Sequence, residues 1–330
     1  MRRSRILSLG YFVPERVVTN KDLEKVLDIT DEAIVKRTGV RERHYVTPGT
    51  SCSDLAYEAS VRAIEKAGLV PRDLDLIILA TLSPDHFFPG SSCFLQDRLD
   101  VPGIAAMDLR NQCSGFVYGL VIADQFIRTG TYRHVLVVGS EVHSTGLDFS
   151  PEGASVSIIF GDGAGAAVLG PCEDGAGLLA SRLHADGRHA RELWVQAPGT
   201  RHEIVVTYEM MQTKMQYPRM NGRAVFRSAV VALTQLVEDI LKGEGLALED
   251  IGLFIFHQAN LRIIESVTQR LGIREDRIYN NIERYGNTTA ASVPIALSEA
   301  VDLGKVKRGD LVLLATFGSG FTWAGALYRW

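Results

Sequence analysis

The stretch Asp75-Leu-Ile-Ile-Leu-Ala-Thr81 is a continuous apolar run of strand length, and Ile251-Gly-Leu-Phe-Ile-Phe-His257 repeats it further along the chain. The same offset relates His134-Val-Leu-Val-Val-Gly139 to Asp310-Leu-Val-Leu-Leu-Ala315, since 257 − 81 and 310 − 134 both equal 176. Uninterrupted apolar runs bounded by polar or turn residues are typical of parallel strands that are buried on both faces. The sequence therefore predicts two similar α/β halves.

Other elements follow the same alternation. Apolar runs predict further strands over residues 104–109, 157–160, 164–169 and 322–328, and amphipathic patterns predict helices over 53–68 and 225–242. Small residues four apart, which allow two helices to approach closely, recur at nearly the same offset, at Gly115, Gly119 and Ala123 and again at Ser292, Ala296 and Ala300. We expect the two central helices to pack together, and we place the halves at residues 1–172 and 173–330.

Composition narrows the class of protein. A chain of 330 residues with 46% hydrophobic and 22% charged residues is typical of a soluble globular protein, and its net charge of −4 argues against broad nucleic-acid binding. The amino terminus fits neither a secretory signal nor a membrane span, so we expect a cytoplasmic location without membrane association. We expect no metal site and no disulfide scaffold, because no C-x-x-C pair occurs among Cys52, Cys93, Cys113 and Cys172.

Cys113 lies between the predicted strand over 104–109 and an apolar helix. Unpaired backbone N–H groups and the positive end of a helix dipole favour a thiolate there, and can lower a cysteine pKa from about 8.5 to roughly 3.5–7.5. A buried cysteine that packs as a small apolar side chain is the alternative. The position favours a nucleophile, because reacting groups of α/β proteins collect where strands give way to helices.

Two further side chains are expected near Cys113, where the two halves meet. His257 ends its predicted strand, and Asn287 corresponds to Asn111 through the repeat, since 287 − 111 equals 176. Taken alone, a buried histidine is usually structural, and an asparagine before a helix is usually a cap. Together with Cys113, the two residues predict acyl chemistry through a covalent thioester.

Several motifs resemble the ketoacyl-ACP synthase III (KAS III) group of the thiolase superfamily, and the resemblance runs almost end to end. They are Arg37-Thr-Gly-Val-Arg-Glu-Arg43, Phe160-Gly-Asp-Gly-Ala-Gly165, His257-Gln-Ala-Asn-Leu-Arg262, Gly286-Asn-Thr-Thr-Ala-Ala-Ser-Val-Pro294 and Phe317-Gly-Ser-Gly-Phe-Thr-Trp323. The resemblance implies a duplicated, five-layered α/β thiolase fold and a ping-pong acyltransferase. An acyl thioester would acylate Cys113, and a malonyl thioester on acyl carrier protein would then lose carbon dioxide and condense to a 3-ketoacyl product. The pathway would be fatty acid or specialised-metabolite biosynthesis, and no cofactor would be needed.

The resemblance also implies residue roles. The backbone N–H groups of Cys113 and of Ser319, in the Gly318–Gly320 turn, would hold the oxyanion, while His257 and Asn287 would hydrogen-bond the enolate oxygen. The acyl and substrate pockets would be lined by Phe88, Phe160, Gly222, Phe226, Asn260 and Phe317. Phe88 would close the pocket of the partner subunit in a homodimer, with core packing as the alternative. Carrier protein or coenzyme A would dock on Arg37, Arg227 and Arg262, for which a solvated surface is the alternative.

Departures from the family pattern concern the acyl donor. Ala33 and Ala154 stand where many members have the tryptophan and arginine that sandwich the adenine of coenzyme A, which leaves open whether coenzyme A or a carrier protein delivers the acyl group. The connection over 187–219 is longer than usual and carries Met210, Met211 and Met215, whose flexible side chains suit irregular acyl chains. We therefore expect a bulky or unusual starter group.

Four alternatives stay open at this point. Within the superfamily, the chain could transfer its acyl group to an alcohol or amine, or condense without decarboxylation. A Cys-His-Asn hydrolase has the same residue order, but the 176-residue repeat argues against it. A non-catalytic partner subunit is disfavoured because Cys113, His257 and Asn287 are all present.

Overall fold

The structure is a computed structural model, and it describes residues 3–330. Its strands are β1 (Arg3–Phe12), β2 (Val17–Thr19), β3 (Glu42–His44), β4 (Leu76–Ala80), β5 (Ala105–Leu109), β6 (Val135–Glu141), β7 (Gly163–Cys172), β8 (Gly177–Ala185), β9 (Leu193–Trp194), β10 (Arg219–Met220), β11 (Leu253–Phe256), β12 (Leu311–Gly318) and β13 (Thr322–Arg329). Its helices are α1 (Asn20–Glu24), α2 (Asp31–Thr38), α3 (Cys52–Lys66), α4 (Ser91–Arg98), α5 (Gly115–Thr129), α6 (Ala154–Ser157), α7 (Tyr208–Gln212), α8 (Gly222–Glu244), α9 (Leu261–Leu271), α10 (Ile282–Tyr285) and α11 (Ser292–Asp302). None of the helices within residues 3–330 is long and apolar enough to cross a bilayer.

Two mixed sheets form the frame. The first has the strand order β1-β7-β6-β4-β5, the second has the order β11-β12-β13-β8, and β2-β3 and β9-β10 form small ribbons. Strand β4 runs parallel to β5 and β6, and β11 runs parallel to β12. The first sheet uses strands that end by Cys172, and the second uses strands that begin at Gly177 or later. The boundary between residues 172 and 173 stays a prediction.

The repeat in the sequence corresponds to the same pairing register of the parallel strands in both sheets. Leu76 pairs with Val135 in the first sheet, and Leu253 pairs with Val312 in the second, so both partners lie 59 positions later in the chain (135 − 76 and 312 − 253). A one-residue slip would turn every side chain to the opposite face. The matched register therefore presents equivalent faces of both sheets to the space between them.

Alternate side chains of the parallel strands enter different cores. In β4, Ile78 packs with α5 and α11 between the sheets, whereas Ile77 packs against α3 on the outside. In β11, Ile255 faces the same central core, whereas Phe254 packs against α8 and α9. The resulting layers are helix, sheet, two central helices, sheet and helix, as predicted.

The small-residue stripe of α5 faces a sheet rather than the other central helix. A Cβ added to Gly119 would lie 2.8 Å from Val137 Cγ1 and 3.5 Å from Ile78 Cγ2. Helices α5 and α11 contribute to one hydrophobic cluster, as expected. The stripe at Gly119, however, serves close packing of α5 on β4 and β6.

The predicted strand over 157–160 is wrong. Helix α6 ends at Ser157, and Ile158 and Phe160 pack in a separate core beneath the loop that follows β6. Only Phe160 makes a bridge, to Asn287. The apolar run reflects burial of a compact turn, a pattern that periodicity alone does not distinguish from a short strand.

Candidate active site

Cys113 lies where two cavities meet. The first measures about 130 Å³ and extends toward α8, while the second measures about 430 Å³ and extends toward the loop after β6. Cys113, Phe160, Leu193 and Asn287 line both cavities. The sulfur can therefore be approached from two sides.

The turn after β5 holds Cys113, the predicted nucleophile. It forms a short 3₁₀ segment, Gln112–Ser114, directly before α5, and the Ser114 hydroxyl donates to the Thr322 carbonyl at 3.0 Å. Gly318, at the end of β12, comes so close that an added Cβ would lie 2.9 Å from Cys113 Cβ and 3.3 Å from its Sγ. Only glycine allows this approach, which brings the Ser319 N–H beside the sulfur.

The expected lowering of the Cys113 pKa is wrong. Burial and, to a smaller degree, the nearby carboxyl of Glu141 raise the pKa of Cys113 to about 12, although the backbone N–H groups of Cys113 and Ser319 act in the opposite direction. Desolvation disfavours the charged thiolate more than these donors stabilise it. The residue is therefore a protonated thiol at neutral pH, beside two N–H groups that can serve an oxyanion.

His257 follows β11 and is locked by its surroundings. Its backbone N–H donates to the Ala315 carbonyl at 2.9 Å, and its Nδ1 lies 2.6 Å from Ser292 Oγ. Ser292 Oγ accepts a hydrogen bond from the Gln258 N–H at 3.3 Å. The hydrogen of the serine hydroxyl is then donated to His257 Nδ1, which acts as the acceptor. This network assigns the hydrogen of the neutral imidazole to Nε2, which is buried without a protein partner.

The protonation state of His257 fits this assignment. Burial, with a smaller effect of the neighbouring His143, lowers the pKa of His257 to about 3. The ring is therefore neutral across the physiological range. A neutral imidazole with a free Nε2–H is a hydrogen-bond donor rather than a ready source of protons.

Asn287 is held across the seam between the halves. Its backbone N–H donates to the Ile159 carbonyl at 2.8 Å, and its carbonyl accepts from Gly161 at 3.1 Å. Gly286 has φ +64°, and an added Cβ would lie 2.7 Å from the Ile159 carbonyl oxygen, so a side chain there would displace Asn287. Asn287 Oδ1 accepts the Thr289 N–H at 2.8 Å, which leaves Nδ2 to donate to a substrate.

The structure brings most of the predicted site residues together. The first cavity is lined, besides Cys113, His257 and Asn287, by Phe160, Gly222, Phe226, Asn260, Phe317 and Gly318. Ser319 and Gly320 line the second cavity. Its remaining wall comes partly from the 187–219 segment, through Leu193, Trp194, Gln216 and Pro218. The three methionines expected there, Met210, Met211 and Met215, line neither cavity, and Met211 is 49% exposed.

The other predicted positions lie farther out. Phe88 is 81% exposed and lines neither cavity, so the core-packing alternative is wrong for this residue. Asn260 Nδ2 donates to the Arg37 carbonyl at 3.1 Å and Arg262 Nε to the Lys36 carbonyl at 3.1 Å, which joins α2 to the start of α9 beside the first cavity. Arg227 instead lines a separate groove of about 750 Å³.

Three side chains were missed from the sequence: Ser292, Thr289 and His143. His143 Nε2 lies 2.7 Å from Thr289 Oγ1, and the Thr289 side chain lies close enough to the Cys113 thiol to lower its pKa slightly. Ser292 lies inside the motif that contains Asn287, and His143 lies two residues beyond the end of β6. The same strand-end rule that singled out Cys113 points to His143 as well.

Comparisons with known proteins agree with this geometry. Residues 107–187 match the family described as 3-oxoacyl-[acyl-carrier-protein (ACP)] synthase III, and residues 241–330 match its C-terminal family. The β-ketoacyl-[acyl-carrier-protein] synthase III of Caldanaerobacter subterraneus is 46% identical, over 98% of this chain and 97% of the relative.

Solved structures show the same fold. The crystal structure of 3-oxoacyl-[acyl-carrier-protein] synthase III from Aquifex aeolicus has a TM-score of 0.91 and 41% identity, over 99% of this chain and all 100% of that one. The priming β-ketosynthase of the R1128 polyketide pathway has a TM-score of 0.90 and 34% identity, covering 98% and 96% of the two chains. These matches confirm the predicted duplicated fold.

Proposed function

This chain belongs to the 3-oxoacyl-[acyl-carrier-protein] synthase III family, and we propose that Cys113, His257 and Asn287 carry out its reaction. The protein is an acyltransferase that condenses an acyl thioester with a malonyl thioester to a 3-ketoacyl product. One observation carries the residue assignment. Cys113, His257 and Asn287 line one cavity, and neither His257 Nε2 nor Asn287 Nδ2 is hydrogen-bonded to another of the described residues.

The first step is acylation of Cys113. Its sulfur attacks the thioester carbonyl, a carbon–sulfur bond forms to Cys113, and the bond to the carrier sulfur breaks. The cysteine proton ends on the departing carrier thiol. The N–H groups of Cys113 and Ser319 would receive the developing oxyanion, where a preorganised donor is worth about 10²–10³ in rate.

The second step is decarboxylative condensation. Loss of carbon dioxide from the malonyl thioester leaves an enolate, whose oxygen would accept hydrogen bonds from His257 Nε2 and Asn287 Nδ2. The enolate carbon attacks the acyl carbonyl on Cys113, and the sulfur is released and takes up one proton. Neutral donors suit this task, because they stabilise negative charge that exists mainly near the transition state.

Intact-mass spectrometry tests the assignment. We expect the protein to gain the mass of the acyl group when it is mixed with a panel of acyl-CoA and acyl-carrier-protein thioesters, and we expect Cys113→Ala to gain none. A Cys93→Ala variant, which changes an exposed cysteine, is the matched control and should acylate normally. No adduct from any thioester, or an adduct that persists in Cys113→Ala, would contradict the assignment.

We also propose a homodimer that uses acyl carrier protein as its partner. Phe87 and Phe88 are 62% and 81% exposed, and such neighbouring apolar side chains are usual at interfaces. Light scattering should give twice the chain mass, and Phe88→Asp should shift it toward the single chain. A single-chain mass for the unmodified protein would refute the dimer.

We further propose a cytoplasmic location and a reaction that needs no cofactor. The four cysteines are free thiols, which fits the reducing cytoplasm. Each chemical step has a protein group to perform it, which supports a reaction without a cofactor. Ala33 and Ala154 offer neither an aromatic ring nor a cation to hold the adenine of coenzyme A. The panel of thioesters should therefore include acyl-carrier-protein thioesters as well as coenzyme A thioesters.

A further inference from the structure

The wall of the second cavity carries a buried histidine that the condensation steps do not use. His143 Nε2 is bonded to Thr289 Oγ1 at 2.7 Å, and the ring packs against Phe160 with centroids 4.5 Å apart. Its Nδ1 has no hydrogen-bond partner among residues 3–330, although the ring lines the cavity beside Cys113. Burial lowers the pKa of His143 to about 3, so the group that faces the cavity is neutral.

Gln216, a second residue of the same cavity wall, has a side-chain amide that is only partly hydrogen-bonded. Gln216 Oε1 is buried without a hydrogen-bond partner, while Gln216 Nε2 donates to the Met211 carbonyl at 3.5 Å. Native proteins usually supply a partner to a buried acceptor, because an unpaired one destabilises the fold. His143 and Gln216 are distant in the sequence, yet both line this cavity. Gln216 therefore supports a polar ligand independently of His143.

We propose that the acyl group placed on Cys113 carries an uncharged hydroxyl, which hydrogen-bonds His143 and Gln216 in the second cavity. This inference rests on the proposed function and names its substrate class, a hydroxyacyl thioester. A hydroxyl both donates and accepts, so it can pair with the Gln216 amide and with either tautomer of His143. An alkyl chain would leave both polar atoms unpaired.

The charges around the cavity favour a neutral group over a carboxylate. His143 is neutral, and none of the buried residues that line the cavity carries a positive charge. A carboxylate buried there would lack a cationic partner, which is costly. Arg110 also lines the cavity but is solvent-exposed, so it lies at the rim.

Competition between matched acyl thioesters tests the proposal. Each pair has four or six carbons and differs only by one hydroxyl, at C3 or at the chain end, and succinyl thioester supplies a carboxylate. In every case the Cys113 sulfur forms a bond to the acyl carbon and the carrier leaves as its thiol, so intact mass separates the adducts. We expect at least one hydroxylated member to acylate about tenfold faster than its alkyl partner.

Two variants assign the preference to the cavity. His143→Leu should reduce the hydroxyl preference to within about twofold, and Gln216→Leu should weaken it about threefold or more, since each loses one hydrogen bond. His134→Leu is the matched control, because His134 is bonded to the Asp73 carbonyl at 2.9 Å and lines neither cavity. If His143→Leu fails to fold, the Gln216→Leu result decides.

The outcomes separate this inference from the proposed function. Equal or faster acylation by every alkyl member, or by succinyl thioester, would overturn the hydroxyl proposal while leaving Cys113 as the nucleophile. A hydroxyl preference that survives in both cavity variants would also overturn it. Only the absence of any Cys113 adduct would count against the proposed function itself.

Discussion

In the first half of the molecule, the loop after β5 holds Cys113 against backbone N–H groups, whereas in the second half the loops around β11 and α11 hold His257 and Asn287 as side-chain donors. The parallel strands of the two halves pair in the same register, yet residues at matching positions have different surroundings. Asn111 corresponds to Asn287 through the repeat, but it lines neither cavity. The duplicated frame thus sets where loops converge, and in the proposed mechanism the loop residues decide which half forms the acyl-enzyme and which stabilises the enolate.

Removing Cys113, the proposed nucleophile of the first half, should have the largest effect. Cys113→Ala should lower condensation by at least about 10³, because no covalent intermediate can form. Steady-state formation of the 3-ketoacyl product measures this loss. Condensation above about one hundredth of the wild-type rate would show that the first half does not supply the nucleophile.

The pH dependence of the thiol sharpens the contrast between the halves. Burial raises the pKa of Cys113 to about 12, so its thiolate fraction, and with it the rate of alkylation by iodoacetamide, should rise about tenfold per unit between about pH 6 and pH 9. Site-resolved peptide mass spectrometry follows the residue separately. A plateau below about pH 8 would show that the N–H groups outweigh burial.

Asparagine substitution in each half compares the repeat-related positions directly. Asn287→Ala should lower condensation about 10²–10³ while acylation of Cys113 persists, because an enolate donor is lost. Asn111→Ala, the matched change in the first half, should keep both steps within about threefold of wild type. Equal losses at the two positions would remove the distinction between the halves.

The smallest expected effect concerns a positioning residue. Ser292→Ala should lower condensation about tenfold, since His257 Nδ1 loses the hydroxyl that fixes its tautomer. Nitrogen NMR of labelled His257 should show a mixture of tautomers in the variant and the Nε2–H form in the wild type. An unchanged tautomer with reduced activity would assign Ser292 a purely structural role.

The parts of the fold that the sequence predicted are those with a local cause. Strands β4, β6, β11 and β12 are recognisable because both of their faces are buried, which produces continuous apolar runs. Strand β1 was missed because polar residues interrupt its apolar ones, and β8 was missed because its end at Arg182–Ala185 is only partly buried. Their pairing depends on β7 and β13, which lie far away in the sequence.

In the candidate site, too, some features could be predicted from the sequence and others could not. Cys113, His257 and Asn287 could be found from strand ends and the repeat, since both are visible in the sequence. The pKa of Cys113 could not, because it depends on how completely Gly318 and its neighbours exclude water from the sulfur. The unpaired atoms of His143 and Gln216 could not be predicted either, because contacts between segments that are distant in the chain create their environment.

The division of chemistry between the halves is tested most directly by a single-turnover experiment on His257→Ala. The variant is first mixed with an acyl thioester, and intact mass follows acylation of Cys113; malonyl-acyl carrier protein is then added, and ketoacyl product is measured. We predict acylation within about threefold of wild type and condensation reduced by at least about tenfold, because in the proposed mechanism His257 donates only to the enolate. If acylation fell as much as condensation, His257 would act on the thiol, and the division of chemistry proposed for the two halves would be wrong.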